Sequence, residues 1–323
     1  MNARRTYATY FGFLVVVLVV VGYSARNVIF RPWTVRSWVT VATLDHRIYL
    51  FGGKNSQNEL MQDILEVDPA ANTLKRVGKQ PSGLFGCGAA TLDGRIFVAG
   101  GTDNKSISDR LDRFDPSTRR FTTIGRLPGP RTFGALVASG GGLYYLGGWD
   151  GSKTSDEIIR IDPATGTGTV VGHLPEPLEE FAAVGYQGIV YLIGGMDAAG
   201  DFVDTIYGID PATGHVTATG TLPEADARMS ATALGNYIYI AGGWNGKEQQ
   251  DLLRFEAKRG KLDPGGVIHL DFSALDTSLA AIGSQLYLIG GQEQRFRRQV
   301  QVLRIDPSTF DVRSILLKSY AWW

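Results

Sequence analysis

The alternation of apolar and polar stretches along this chain repeats six times. Each copy opens with a short run of small residues, passes a turn, and enters a strongly apolar run that closes on two glycines. The pairs are Gly52-Gly53, Gly100-Gly101, Gly147-Gly148, Gly194-Gly195, Gly242-Gly243 and Gly290-Gly291, at intervals of 48, 47, 47, 48 and 48 residues. An aromatic stands three positions before each pair: Tyr49, Phe97, Tyr144, Tyr191, Tyr239 and Tyr287. Short apolar runs bounded by turn residues predict strands, not helices. A period held across nearly the whole chain predicts one supersecondary unit stacked on copies of itself.

The rest of the unit follows from its turns. The small-residue strands are Val39–Leu44, Gly86–Leu92, Gly134–Ala138, Phe181–Gly185, Ser230–Leu234 and Ser278–Ile282. Asp93-Gly94, Gly141-Gly142, Gln187-Gly188 and Gly235-Asn236 then supply hairpin chemistry. A third strand, such as Ile158–Ile161 or Leu303–Ile305, ends at Asp68-Pro69, Asp115-Pro116, Asp162-Pro163, Asp210-Pro211 or Asp306-Pro307; copy five has Glu256-Ala257 there. Proline fixes φ and the aspartate accepts from nearby backbone donors, so these are turns. A fourth strand follows, as in Phe121–Ile124 or Thr167–Val171, and three copies close on Gly-X-Leu-Pro (Gly125–Pro128, Gly172–Pro175, Gly220–Pro223). Four antiparallel strands cannot bury both faces alone, whereas six such sheets set radially can. Strands of Ala, Gly, Ser and Thr belong at the crowded axis, and glycine pairs belong where a neighbouring backbone comes close or φ is positive.

Aromatic-X-X-Gly-Gly followed by a strand ending in Asp-Pro, near 47 residues per copy, resembles the kelch repeat over about 280 of the 323 residues. The resemblance implies an all-β, six-bladed propeller of four-stranded antiparallel blades. The blades are expected at about 36–81, 82–130, 131–177, 178–225, 226–273 and 274–318 of a propeller spanning 36–323. One family feature is missing: the tryptophan six residues after the aspartate is replaced by Leu74, Phe121, Gly168, Val216, Leu262 and Val312. Smaller side chains must therefore make the inter-blade packing, and glycine at 168 predicts a locally thin or shifted blade. All six copies have four strands, so no strand swap closing the ring is evident, although residues 28–35 offer an addition to the last blade.

Ahead of the repeats, Thr6 to Ala25 carries no charge. As a helix these residues rise about 30 Å, enough for a bilayer core. Arg4 and Arg5 precede them, an inside signal. Residues 1–25 are expected to be an uncleaved signal anchor, since cleavage after Ala25 would put Tyr23 where a small residue is wanted; a cleaved signal peptide is the alternative. Residues 26–35 form a linker reaching at most about 35 Å. The expected location is a single-pass cell-membrane protein with the propeller outside the cytoplasm, or, after cleavage, a secreted or periplasmic one.

Charge and cysteine content remove several classes. Lysine plus arginine and aspartate plus glutamate both number 32, so no overall field points to nucleic acid. The lone Cys87, among Gly86, Gly88 and Ala89, reads as buried filler and excludes an intrachain disulfide. His46, His173, His215 and His269 are scattered without ligand spacing, so no metal is expected. The copper-radical oxidases on kelch propellers need channel histidines that this sequence lacks. No cofactor is expected, because the glycine pairs end strands and open no helix.

The loops after the glycine pairs are longer and more varied than the other turns, which places a binding face there. Trp149-Asp150 and Trp244-Asn245 repeat an aromatic plate beside a polar group, suited to a sugar or a peptide side chain; simple packing against adjacent loops is the competing reading. Asp103 and Asp197 hold equivalent places. Arg36, Arg131 and Arg228 begin inner strands and either clamp a carboxylate or bond inter-blade carbonyls. Glu179 and Glu180 begin the inner strand of blade four and are placed to pair with them. Arg295-Phe296-Arg297-Arg298 makes the last blade's loop basic. The expected function is recognition of a protein or glycan on this face. The alternative is a carbohydrate-active enzyme similar to the sialic acid mutarotases, also six-bladed and kelch-like. For it, Arg131, Arg228, Glu179 and Glu180 are the only catalytic candidates, matching by residue type without a motif.

Overall fold

The computed structural model describes residues 36–291 except 56 and 271, and 302–320 except 316. Within them lie six mainly antiparallel sheets arranged in a ring, with a two-stranded pair of Leu178–Glu179 and Met196–Asp197 beside them. Blade one comprises Thr40–Leu44, Arg47–Phe51, Asp63–Asp68 and Thr73–Lys79, in that order from the axis outward. Blades two, three, four and six repeat this order from inner strands at Phe85–Leu92, Ala135–Ser139, Ala182–Tyr186 and Thr277–Ile282. Blade five begins at Ser230–Leu234 and departs at its rim. Its outer strand is split into Lys261–Leu262 and Ile268–His269 around a short 3-10 turn at Pro264–Gly266, in the copy lacking Asp-Pro. In the other copies the aspartate makes the expected turn: the Asp68 carboxylate accepts from the N–H groups of Ala70 and Ala71, and Asp115, Asp162, Asp210 and Asp306 accept likewise.

The core is not inside any blade but between blades. Six apolar clusters occupy the six junctions, one from Ile48, Leu50 and Leu65 of blade one against Tyr287, Ile289 and Val302 of blade six. This is the consequence of period-two alternation: Ile48 and Leu50 face blade six, while Tyr49 and Phe51 face blade two. Full burial of a ring such as Phe114 or Phe255 contributes about 2–3 kcal/mol. Where the family tryptophan is absent, Phe121 packs against Phe51 and Phe114 with ring centroids 6.4 Å apart. Blade three is neither thin nor displaced. Its outer strand Gly168–His173 pairs along Glu157–Ile161, and the room at Gly168 is taken by Pro128 of the preceding blade, 3.0 Å from where a Cβ would stand.

Both reasons for the glycine pairs hold together. All twelve members have positive φ, and the first of each pair faces a carbonyl of the next blade: Gly52 meets Leu84, Gly147 meets Leu178 and Gly242 meets Ala274. The second glycine's N–H donates to the same carbonyl, as from Gly53 to Leu84 and from Gly148 to Leu178 (2.9 Å each). Each pair is therefore a blade-to-blade joint.

Ring closure corrects the sequence reading. Lys318–Tyr320 adds to the outer strand of blade one in parallel register, with Lys318 opposite Thr73. Leu317 just before it is buried in the junction between blades six and one. A short strand from the carboxyl-terminal end thus does close the ring, on the outside of the first blade, where the repeat comparison saw none. The expected anchor at 1–25, the linker, residues 28–35 and the basic run 295–298 lie outside the described residues. Among the described residues no helix is long and apolar enough to cross a membrane.

Candidate functional site at the channel mouth

One residue in each blade turns the incoming chain into the inner strand, and all six occupy the left-handed region: Trp38 (φ 55°), Gly86 (65°), Phe133 (59°), Glu180 (54°), Arg228 (61°) and Asp276 (55°). Five of these are not glycine, and side chains rarely adopt this conformation unless the surroundings impose it. The surroundings here include a hydrogen-bonded backbone arc that runs through blades two to five of the circle. Phe133 N–H donates to Gly86 O (2.9 Å), Glu180 N–H to Phe133 O (2.8 Å) and Arg228 N–H to Glu180 O (2.6 Å). Strand polarity puts this circle on the face of the long loops, at the mouth of a cavity of about 460 Å³ lined by the inner strands.

The circle is divided by chemistry. Blades one to three supply Trp38, Gly86 and Phe133, joined by Phe85 beneath; blades four to six supply Glu180, Arg228 and Asp276. Trp38 and Phe133 rings lie 5.5 Å apart, and Phe85 contacts both at 6.0 and 5.9 Å. The Arg228 guanidinium stands 4.3 Å over the Trp38 ring, an attraction of the cation to the π face. Because these side chains come from blades one, three and five, they meet across the mouth. Asp276, whose side chain is fully buried, takes Nε and Nη2 of Arg228 at 2.6–3.0 Å. Glu180 lies in the same cavity lining. Burial pushes its carboxyl up to about 7, with Arg228 pulling it down and Glu179 and Asp276 adding to the rise. At the rim, Lys54 Nζ sits 3.6 Å over Phe85.

The residues expected from sequence separate into three groups. Glu180 and Arg228 are brought together at the mouth, although they do not form a contact ion pair. Arg36 and Arg131 are structural. Buried Arg36 donates to the carbonyls of Gly52 and Asp63 (3.1 and 2.8 Å), and Arg131 donates to the carbonyl of Pro130 and the carboxylate of Glu157. Of the two readings offered for them, bonding of backbone carbonyls describes Arg36, and Arg131 adds to a carbonyl the carboxylate of Glu157 within its own blade. Glu179 turns away from the circle to accept from Thr154 Oγ1 (3.4 Å), and burial raises its carboxyl above the usual range.

The third group shapes loops. The backbone of Trp149 exchanges hydrogen bonds with Thr132, and that of Trp244 with Ala227, so both tryptophans tie a long loop to an inner strand while their side chains stay partly exposed. Asp150 accepts from the N–H groups of Ser152 and Lys153, Asp103 from Lys105 and Ser106, and Asp197 from Ala199 and Asp201. Asn245 donates to Glu224 and accepts from Gln249. The Cys87 thiol, enclosed against Gly101, is pushed up to about 12 by burial, which removes it as a nucleophile at neutral pH.

Sequence reasoning missed Trp38, Phe133 and Asp276. A signal was available. Positions 38, 86, 133, 180, 228 and 276 keep the spacing of the glycine pairs, whereas Arg228 falls two residues out of phase with Arg36 and Arg131. The position equivalent to those arginines in blade five is Asp226, a buried carboxyl that burial pushes up to about 7.

Comparison with known proteins agrees with this architecture. Residues 29–169 match the family model of the KLHDC2/KLHL20/DRC7 kelch-repeats domain. An Arabidopsis thaliana protein named as an F-box/kelch-repeat protein is 32% identical over 82 residues, which span 25% of this chain and 20% of that protein. The solved structure of YjhT superposes with a TM-score of 0.70 at 15% identity, covering 87% of this chain and 98% of that one, a likeness of fold. With the six-fold glycine joints and the radial sheets, these matches make the chain a six-bladed β-propeller whose amino-terminal half is similar to kelch-repeat domains.

Proposed function

We propose that this propeller is a binding module that receives a protein or carbohydrate ligand at the channel mouth on its long-loop face. The observation that carries the reading is the strained circle of Trp38, Phe133, Glu180, Arg228 and Asp276 around a cavity of about 460 Å³. Its apolar arc and its charged arc give a ligand both an aromatic wall and oriented polar groups, the composition expected of recognition sites. Trp149 and Trp244 belong to the flanking loops. The uncharged run from Thr6 to Ala25 supports tethering of the propeller at an extracytoplasmic membrane surface.

The test compares two double variants in capture from glycan arrays and from a set of purified envelope proteins. Trp38→Ala with Phe133→Ala is expected to weaken capture by about a hundred-fold, the scale of a central aromatic hot spot. Trp149→Ala with Trp244→Ala is expected to cost about ten-fold or less, as rim residues do. Undiminished capture by the first variant would place the site elsewhere.

A second reading, catalysis of sialic acid anomerisation, is favoured by one feature: Glu180, titrating near neutrality, shares the mouth with Arg228. A carboxyl poised near the working pH suits general acid–base transfer. Of the four catalytic candidates, only these two remain at the site. If the reading holds, N-acetylneuraminate mutarotation is accelerated by the unaltered chain and falls by about a hundred-fold or more in Glu180→Gln, while Arg131→Ala leaves it unchanged. Absence of acceleration by the unaltered chain ends this reading.

A further inference from the structure

The two acidic residues at the mouth differ in how their charge is met. Asp276 is held by Arg228 through both oxygens. The Glu180 carboxyl has no hydrogen-bond or ion-pair partner among the described residues, and it is largely withdrawn from water. Among the described residues the mouth therefore brings the carboxyls of Glu180 and Asp276 together with the Arg228 guanidinium, which Asp276 already holds, and Lys54 stands at the rim over Phe85 and near Asp276. An anionic ligand would have to displace the fully buried Asp276 side chain from Arg228. A cationic one would supply what Glu180 lacks.

The aromatic arc favours the same charge. Trp38 and Phe133 present rings at the mouth, and the face of Trp38 already receives one cation, the Arg228 guanidinium. Glu180 lines the same cavity as these rings, and a desolvated carboxylate sharing a cavity with aromatic side chains is complementary to an alkylammonium, whose charge meets the carboxylate while its methylene stem lies along the rings. We infer that the channel mouth is a receptor for a primary alkylammonium group, with Glu180 as its counter-ion and Trp38 and Phe133 as its walls. This rests on the binding reading above and narrows it. Two sources offer the chemistry, a lysine side chain on a protein segment and a free diamine.

The charge of Glu180 also makes the site sensitive to pH. The groups that act on its carboxyl are Arg228, Glu179 and Asp276, with Lys54 at the rim above Phe85. Its value is raised above the ordinary one, so the neutral form is favoured by the empty fold. This contribution to stability is present in acid and is lost as pH rises through about 7. Ligand affinity has the opposite sign: it grows as Glu180 ionises.

The experiment uses the full chain in detergent micelles and titration calorimetry with four probes. These are the end-blocked peptide Gly-Gly-Lys-Gly-Gly, the same peptide with acetyl-lysine, cadaverine, and N-acetylneuraminate as an anion. The lysine peptide or cadaverine is expected to bind at about pH 8 and to weaken about ten-fold or more by about pH 5.5. Acetylation of the lysine and Glu180→Gln are each expected to weaken peptide binding about ten-fold or more. The pH profile reads the same carboxyl in the unaltered chain, so the result does not depend on the variant's folding. Tighter binding of the peptide than of cadaverine identifies a protein segment as the source; the reverse identifies a free diamine. Equal binding of the acetylated peptide, a flat pH profile, or no amine binding at all overturns the inference. If it falls while the Trp38→Ala, Phe133→Ala variant still loses capture, the binding reading stands without it.

Discussion

Gly242→Ala is expected to destabilise the propeller by about 2–5 kcal/mol, a large share of a domain's total stability. Two effects add. The residue has φ +70°, which costs an L side chain about 1–2 kcal/mol. The new Cβ would also stand 2.1 Å from Ala274 O and 2.7 Å from Ala274 C. The atoms it meets are backbone of the next blade, whose neighbours Leu270, Phe272 and Leu279 are buried in the junction cluster, so they cannot recede without opening the core. Overpacking of this kind costs about 1–3 kcal/mol. Gly235 provides the control: its φ is +61°, yet nothing lies within 4 Å of a Cβ there. Gly235→Ala should therefore lose only the conformational part, about 1 kcal/mol. Urea unfolding of the two variants separates the costs. Equal midpoints would mean that the glycine pair serves the turn alone and is not a joint between blades.

Asp276→Ala has the second largest expected effect, about 2–4 kcal/mol. Removing one partner of a buried ion pair strands the other charge. Here Asp276 has a fully buried side chain and Arg228 keeps 19% exposure, so water recovers part of the loss. The stranded guanidinium would still rest on Trp38, an interaction too small to replace a two-oxygen carboxylate contact. A double variant, Asp276→Ala with Arg228→Leu, should regain part of the stability because the guanidinium that Asp276 held is removed with it. A double-mutant cycle in thermal or urea unfolding checks this. Strictly additive losses would show that the two residues contribute independently and that the mouth is not held by their pairing.

Much of the scaffold was legible from spacing alone. Asp68-Pro69 and its equivalents predicted turns that the aspartate carboxylates do make. The small residues of Ser230–Leu234 and its equivalents predicted axial strands, and the glycine pairs predicted places where φ is positive and a neighbouring backbone comes close. These readings succeeded because local chemistry and blade geometry demand the same residue in every copy. The readings that failed concerned contacts with no such repetition. Gly168 suggested a thin blade, but Pro128 of another blade occupies the space. The closing strand Lys318–Tyr320 carries no repeat signature, and its partner Thr73–Lys79 lies at the far end of the chain.

The candidate site shows the division most clearly. Arg36, Arg131 and Arg228 looked alike as arginines opening inner strands. The two-residue phase difference sends the first two into their blades and the third over the channel. Trp149 and Trp244 read as a matched pair of plates; their side chains stay partly exposed, and their backbones also tie the loops to the inner strands. By itself the sequence determined that six alike blades must pack on one another, because each can bury its faces only against a copy of itself. The tertiary structure alone decided that Trp38, Phe133, Glu180, Arg228 and Asp276 share one mouth. Side chains from distant repeats become neighbours only when the ring closes, and that closure decides which charges are paired and which carboxyl is left facing the cavity.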